Sequence, residues 1–291
     1  MENYKKIGFL VAALIMFGAG CAQAPKTEAQ PVVATTIVAL TSVTSNILDG
    51  VIPVESVLPK GAEPHDVILS TRELQTLTNA KAIVTLGLTL DDWIANGISA
   101  TNAQASVVVA SNFLNLPPEL NDPHVWLSPK RMIIMSRGIA TRMQEIFPES
   151  AKEIAENGAA YEIELEKLDG EFRALGALKN RDIVTLHDAF GYLAQDYGLN
   201  VVAVVMDLPE DSPSPEDVAR VIAMLSKYPD AALFGESEIS PAILKSIAKD
   251  TGRTIYILDP LELGASDAPA YVAAMKKNLA VLKEALAAQQ K

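Results

Sequence analysis

The chain contains three histidines, and each stands in a loop shortly after an apolar run. His65 follows VESVLPKGAEP, His124 follows VVVASNFLNLPPELNDP, and His187 ends DIVTLH. A fourth loop, after TIYIL, puts Asp259 in the same kind of position. Imidazole is the commonest protein metal ligand, and three imidazoles with one carboxylate saturate a tetrahedral ion such as zinc. Taken singly, each residue has a plainer reading. A lone loop histidine is ordinarily solvated or hydrogen-bonded, and Asp259-Pro260 is also a common turn dipeptide. Asp66, Asp122 and Asp188 adjoin the histidines, but a carboxylate there is most often a cap or turn former. The weight lies on the joint placement of four donors.

Four donors so far apart in sequence need elements that bring their loops together. Short β-branched runs at 34–40, 53–58, 82–86 and 106–110 read as strands. Amphipathic stretches at 43–49, 70–79, 89–98 and 129–146 read as helices. Residues 148–178 are rich in Ala, Glu, Leu and Lys, with Pro148 suited to a first helical turn. Read as one helix, that segment would span roughly 45 Å and could join two lobes as a strut. The alternation then restarts, with strands at 182–186, 200–206, 231–235 and 254–258 and helices at 189–197, 215–227, 240–250 and 268–288. Ser214-Pro215-Glu216-Asp217 is a strong helix start: a cap, a proline in the first turn, then acids near the positive end of the dipole.

The expected fold is therefore α/β, with two pseudo-symmetric lobes, each a four-stranded parallel sheet flanked by helices. The lobes would cover 33–147 and 179–291, joined by the long helix. In open α/β sheets, ligands bind beyond the carboxyl ends of the strands. His65 and His124 lie past the second and fourth strands of the first lobe. His187 and Asp259 lie past the first and fourth strands of the second. Facing edges would bring all four into one cleft. Glu63, Asp188, Glu236 and Glu238 are candidates by location to orient the imidazoles from behind, because a ligating histidine normally donates its other N–H to a carboxylate or carbonyl. Trp126 and Phe190 lie close to the ligands and either exclude water or simply pack the core.

The N-terminus reads as an export signal. Lys5 and Lys6 precede an apolar stretch at 7–17, and Gly18, Ala19 and Gly20 lead to Cys21. An apolar run this short is a signal and not a membrane span. Cys21 is the only cysteine, which rules out an intramolecular disulfide. Its place resembles a bacterial lipobox, with Gly18 where an aliphatic residue is usual; cleavage nearby without acylation would give a plain secreted protein. Residues 22–32 read as a flexible tether. A net charge of −12 argues against nucleic acid as a partner and is compatible with cation capture.

The blocks GAEPHDVILS, NDPHVWLSP, TLHDAFGYLAQDYGL and YILDPL resemble, in order, the signature segments of the metal-binding receptors of bacterial zinc and manganese ABC importers. The resemblance runs from about residue 33 to the C-terminus. It implies one divalent ion held between the lobes by His65, His124, His187 and Asp259. It further implies an ABC permease as partner, a monomeric receptor that is not an enzyme, and an exported, lipid-anchored location facing periplasm or cell exterior. Manganese-preferring members generally carry Glu at the position of His187, so the histidine resembles the zinc-preferring group. Zinc(II) is the expected cargo and manganese(II) the alternative. The N₃O donor set points the same way, since manganese favours more and harder oxygen ligands. Two other readings stand beside this one: a surface adhesin built on the same scaffold, and, more remotely, a zinc hydrolase with an open fourth position.

Overall fold

A computed structural model describes residues 32–288, apart from 66, 102, 118–119, 121, 207–212 and 238–241. Cys21, the signal segment, nearly all of the tether, and Glu238 lie outside the described residues.

The first lobe contains β1 (Val32–Thr35), α1 (Val38–Ile47), β2 (Val54–Ser56), α2 (Thr71–Asn79), β3 (Ala80–Thr85), α3 (Trp93–Thr101), β4 (Ser106–Val109) and α4 (Pro129–Ile146). After α5 (Ala151–Arg173) come β5 (Asp182–Thr185), α6 (Gly191–Tyr197), β6 (Asn200–Val204), α7 (Pro215–Lys227), β7 (Ala232–Glu236), α8 (Ala242–Thr251), β8 (Ile255–Leu258) and α9 (Ala270–Ala288). The two sheets run β2-β1-β3-β4 and β6-β5-β7-β8, and all strand pairs among the described residues are parallel. The same order in both sheets is the repeat expected from the alternation, and it points each lobe's loops out of the same edge.

Two expectations need correction. The run 34–40 is not one strand: β1 ends at Thr35 and α1 begins at Val38. Val38 to Thr44 are buried all round the helix, so the segment lacks the polar face that would betray a helix. Its β-branched residues then mimic a buried strand. The segment 148–178 is not one α-helix either. Pro148–Ser150 and Ala174–Ala177 are single 3₁₀ turns flanking α5. At 23 residues, α5 is about 34 Å long. Gly158 lets it cross α4 closely, because a Cβ there would sit 3.1 Å from the Ala140 methyl.

The lobes are tightly stitched. One continuous apolar cluster takes Val33, Leu40 and Trp126 from the first half, Phe172 from α5, and Tyr197, Phe234 and Tyr271 from the second. Helix α9 follows the last strand in sequence but packs on α1 and α5 as well as β8. Its start is pinned by Ser42, whose Oγ donates to Ala268 O at 2.8 Å and accepts from Tyr271 N at 3.0 Å. Trp126 Nε1 donates to Pro260 O and Tyr271 Oη to Trp126 O, both at 2.8 Å. At the base of α4, Asp196 on α6 accepts from Ser128 Oγ at 2.8 Å, Arg131 Nε at 2.7 Å and Lys130 Nζ at 3.0 Å.

Candidate metal centre

His65 lies in the 57–70 loop beyond β2. Its neighbour Pro64 is held through its carbonyl, which accepts from Trp93 Nε1 at 3.0 Å. His124 opens a 3₁₀ turn (His124–Leu127) after the Pro/Asn/Asp-rich loop beyond β4. Asp122 Oδ1 accepts from the His124 backbone N at 2.9 Å and meets its Nδ1 at 2.8 Å. That short-range clamp fixes both main chain and ring. His187 follows β5. Glu236, the last residue of β7, grips it in the same two places: Oε1 accepts from His187 N at 3.1 Å, and Oε2 lies 2.6 Å from Nδ1.

A carboxylate accepting from Nδ1–H leaves a neutral imidazole with its lone pair on Nε2. The Nε2 atoms of His124 and His187 both turn inward, as does that of His65. They face Glu262 Oε1 at 3.2 Å from His124, 3.5 Å from His187 and 3.9 Å from His65. Ring centroids stand 5.2 Å apart for His124 and His187 and 5.8 Å for His65 and His124. Side-chain exposure is 15% for His65, 4% for His124, 0% for His187 and 2% for Glu262. All four inward atoms are buried without a well-aligned hydrogen-bond partner. Buried polar atoms are nearly always satisfied, so four adjacent exceptions call for a ligand. The donor set suits one small divalent cation.

The electrostatics agree. Burial would raise the Glu262 carboxyl, but the three imidazoles facing it prevail and hold it well below the usual carboxylate range. Burial would lower His187, yet Glu236 and Glu262 outweigh it and push the imidazole up to about 10. His124 is also raised, with Asp122 and Glu262 overcoming its burial. A cation entering here displaces the protons that these carboxylates favour on the imidazoles.

The structure thus brings His65, His124 and His187 together but joins them with Glu262 rather than Asp259. Asp259 Oδ1 accepts from Leu261 N at 2.8 Å, and Asn278 clasps the Asp259 backbone at both N (2.9 Å) and O (2.7 Å). Burial raises the Asp259 carboxyl, against the pull of the Leu261 N–H and Lys277. It is a turn former, and Leu261 in a left-handed conformation (φ 57°) reverses the chain so that residue 262 points into the cleft. The missed signal was the second acid in DPLE, three residues past Asp259 and four past the end of β8. Of the residues expected behind the imidazoles, Glu236 does contact His187. Asp188 is exposed and Glu63 half-buried on the His65 loop. Asp122, read as a turn former, is that and the His124 partner as well. Trp126 and Phe190 are core residues, at 0% and 1% exposure, and the Trp126 ring also packs 5.1 Å from that of His124.

Two repeated parallel sheets enclosing a four-donor centre define a two-lobed binding protein with a metal-sized cleft. The chain belongs to the family described as zinc-uptake complex component A, periplasmic, which it matches over residues 33–285. It is similar to the zinc-binding protein AdcA of Streptococcus pyogenes serotype M3, at 28% identity over 288 residues, 88% of this chain and 56% of that protein. Against the zinc-binding lipoprotein AdcA of Streptococcus pneumoniae R6, identity is 28% over 304 residues, 96% of this chain and 61% of that protein. The chain therefore spans little more than half the length of these curated relatives. The Zn(II)-bound ZnuA-like domain of Streptococcus pneumoniae AdcA superposes with a TM-score of 0.76 at 28% identity, covering 88% of this chain and 98% of that domain.

Proposed function

We propose that this protein captures one zinc(II) ion through His65 Nε2, His124 Nε2, His187 Nε2 and Glu262 Oε1, and delivers it to the permease of an ABC importer. The observation that carries the reading is a set of buried, unsatisfied donors in which the three Nε2 atoms lie 3.2–3.9 Å from Glu262 Oε1, with His65, His124 and Glu262 the most closely grouped. Zinc accepts N₃O tetrahedral ligation without geometric strain, and ligand softness ranks it above manganese at three imidazoles. Family membership and the zinc-binding relatives support the same cargo. Glu262 fills the position that a hydrolase would leave for an activated water, which favours capture over catalysis. We further propose attachment to the membrane through an acylated Cys21, with the protein monomeric and facing the periplasm or cell exterior; a relative described as a lipoprotein supports the acylation. Among the described residues, no helix is long and apolar enough to cross a membrane.

The test is metal analysis of protein purified without added metal, followed by direct competition of zinc against manganese. Stoichiometric zinc that manganese does not displace is expected. Preferential manganese retention, or no bound transition metal, would overturn the assignment of cargo.

A further inference from the structure

His124 and His187 are steered by carboxylates on their own rings, Asp122 and Glu236. For His65 the structure shows a different device. The loop carrying it is gripped by α3. Trp93, the first residue of α3, donates its indole N–H to Pro64 O, one residue before the imidazole. One turn on, Gly97 makes room for Leu69, since a Cβ at Gly97 would fall 2.5 Å from Leu69 Cδ1. The two ends of the 64–69 segment therefore rest on one helix, while Ile68 between them is 88% exposed.

That helix is itself firmly mounted. Asp91, at 2% exposure, accepts from Leu86 N, Gly87 N and Thr36 Oγ1, which ties the entry of α3 to the ends of β1 and β3. Between them the chain takes three successive left-handed residues, Gly87 (φ 84°), Leu88 (φ 54°) and Thr89 (φ 66°). Non-glycine residues hold that conformation only where their surroundings enforce it, and here the Asp91 carboxylate spans the turn. Among the described residues, the hydrogen bond from this mount to the main chain flanking His65 is the one donated by the indole N–H.

Building on the zinc reading above, we propose that Trp93 is a positioning residue for His65, fixing the most exposed of the four donors through the Pro64 carbonyl. Coordination bonds tolerate errors of only about 0.2 Å. A loop ligand released from its tether spends less time in place, so the ion leaves faster. The effect falls on the dissociation rate, because affinity differences among variants of one site lie mostly there.

The experiment measures zinc release into excess chelator by stopped flow for wild type, Trp93→Phe, His65→Ala and the double variant. Phenylalanine keeps an aromatic ring against the apolar cluster that includes Val57, Leu77 and Ile94, and removes the donor. Trp93→Phe is expected to release zinc about tenfold faster, the lower end for losing an outer partner of a ligand. In the His65→Ala background the same substitution should add nothing, since its effect passes through His65. An unchanged rate in Trp93→Phe overturns the proposal. So does an acceleration of equal size with and without His65, or one that simply follows a fall in the thermal midpoint of the metal-free protein. If His65→Ala itself binds and releases zinc like wild type, the failure lies in the metal-centre reading instead.

Discussion

Replacing Glu236 by glutamine tests how much of the centre depends on what stands behind it. Glu236 Oε2 meets His187 Nδ1 at 2.6 Å, with the two side chains 2% and 0% exposed. Solvent neither screens nor replaces that contact, so it is far stronger than a surface ion pair. Glutamine keeps the shape and still accepts from the His187 backbone. It removes the anionic charge and, with its amide able to present N–H₂ instead of oxygen, loosens the imidazole's orientation and tautomer. Outer partners of metal-bound histidines typically contribute 10–100-fold in affinity, or about 1.4–2.7 kcal/mol. Chelator competition at pH 7.5 should therefore show zinc binding weakened by that factor at unchanged stoichiometry. The metal-free protein gives a second readout. Because His187 is raised to about 10, its protonation contributes stability that is fully present below its unfolded value near 6.5 and lost as pH rises through about 10. Glu236→Gln should flatten that alkaline loss in denaturant melts. Zinc affinity within twofold of wild type would refute the reasoning, because the Glu236 contact would then have no bearing on the ligand.

Two further outcomes follow from the interlobe contacts. Asp196→Asn should cost about 2–3 kcal/mol at pH 7, mostly from Ser128 and the 14%-exposed Arg131, with little from exposed Lys130. Despite burial, Lys130, Ser128 and Arg131 lower the Asp196 carboxyl, so its contribution is present above the unfolded value near 3.9 and fades as pH falls through the lower folded one. Denaturant melts should separate the two proteins at pH 7, and the gap should narrow as pH falls below the unfolded value. Phe172→Ala should cost about 3–5 kcal/mol, since the ring is fully buried in the core shared by the lobes. Calorimetry should still show one transition; separate melting of two halves would contradict a common core.

Much of this was legible in the chain. Strand-helix alternation fixed the repeated sheets because parallel strands covered on both faces form short β-branched runs. Helix α7 was readable from Ser214, whose Oγ accepts from Asp217 N while Asp217 bonds back. The three histidines were legible because each closes a run that feeds the binding edge. What escaped is instructive. The first half of α1, read as part of a strand, hid because its whole circumference is buried, while the helix read at 43–49 covers its second half. Glu262 hid because the ligand is chosen by backbone conformation: Asp259 spends an oxygen on Leu261 N, and the left-handed Leu261 swings the next residue inward. Neither fact is visible in DPLE read as letters. The Trp93 contact to Pro64 crosses 29 positions and depends on where α3 lies.

The most direct test is an anomalous difference map at the zinc edge from crystals of the zinc-loaded protein. The account predicts one peak about 2.0–2.2 Å from Nε2 of His65, His124 and His187 and from a Glu262 carboxylate oxygen. A peak ligated by Asp259 in place of Glu262, or none between the lobes, would contradict it.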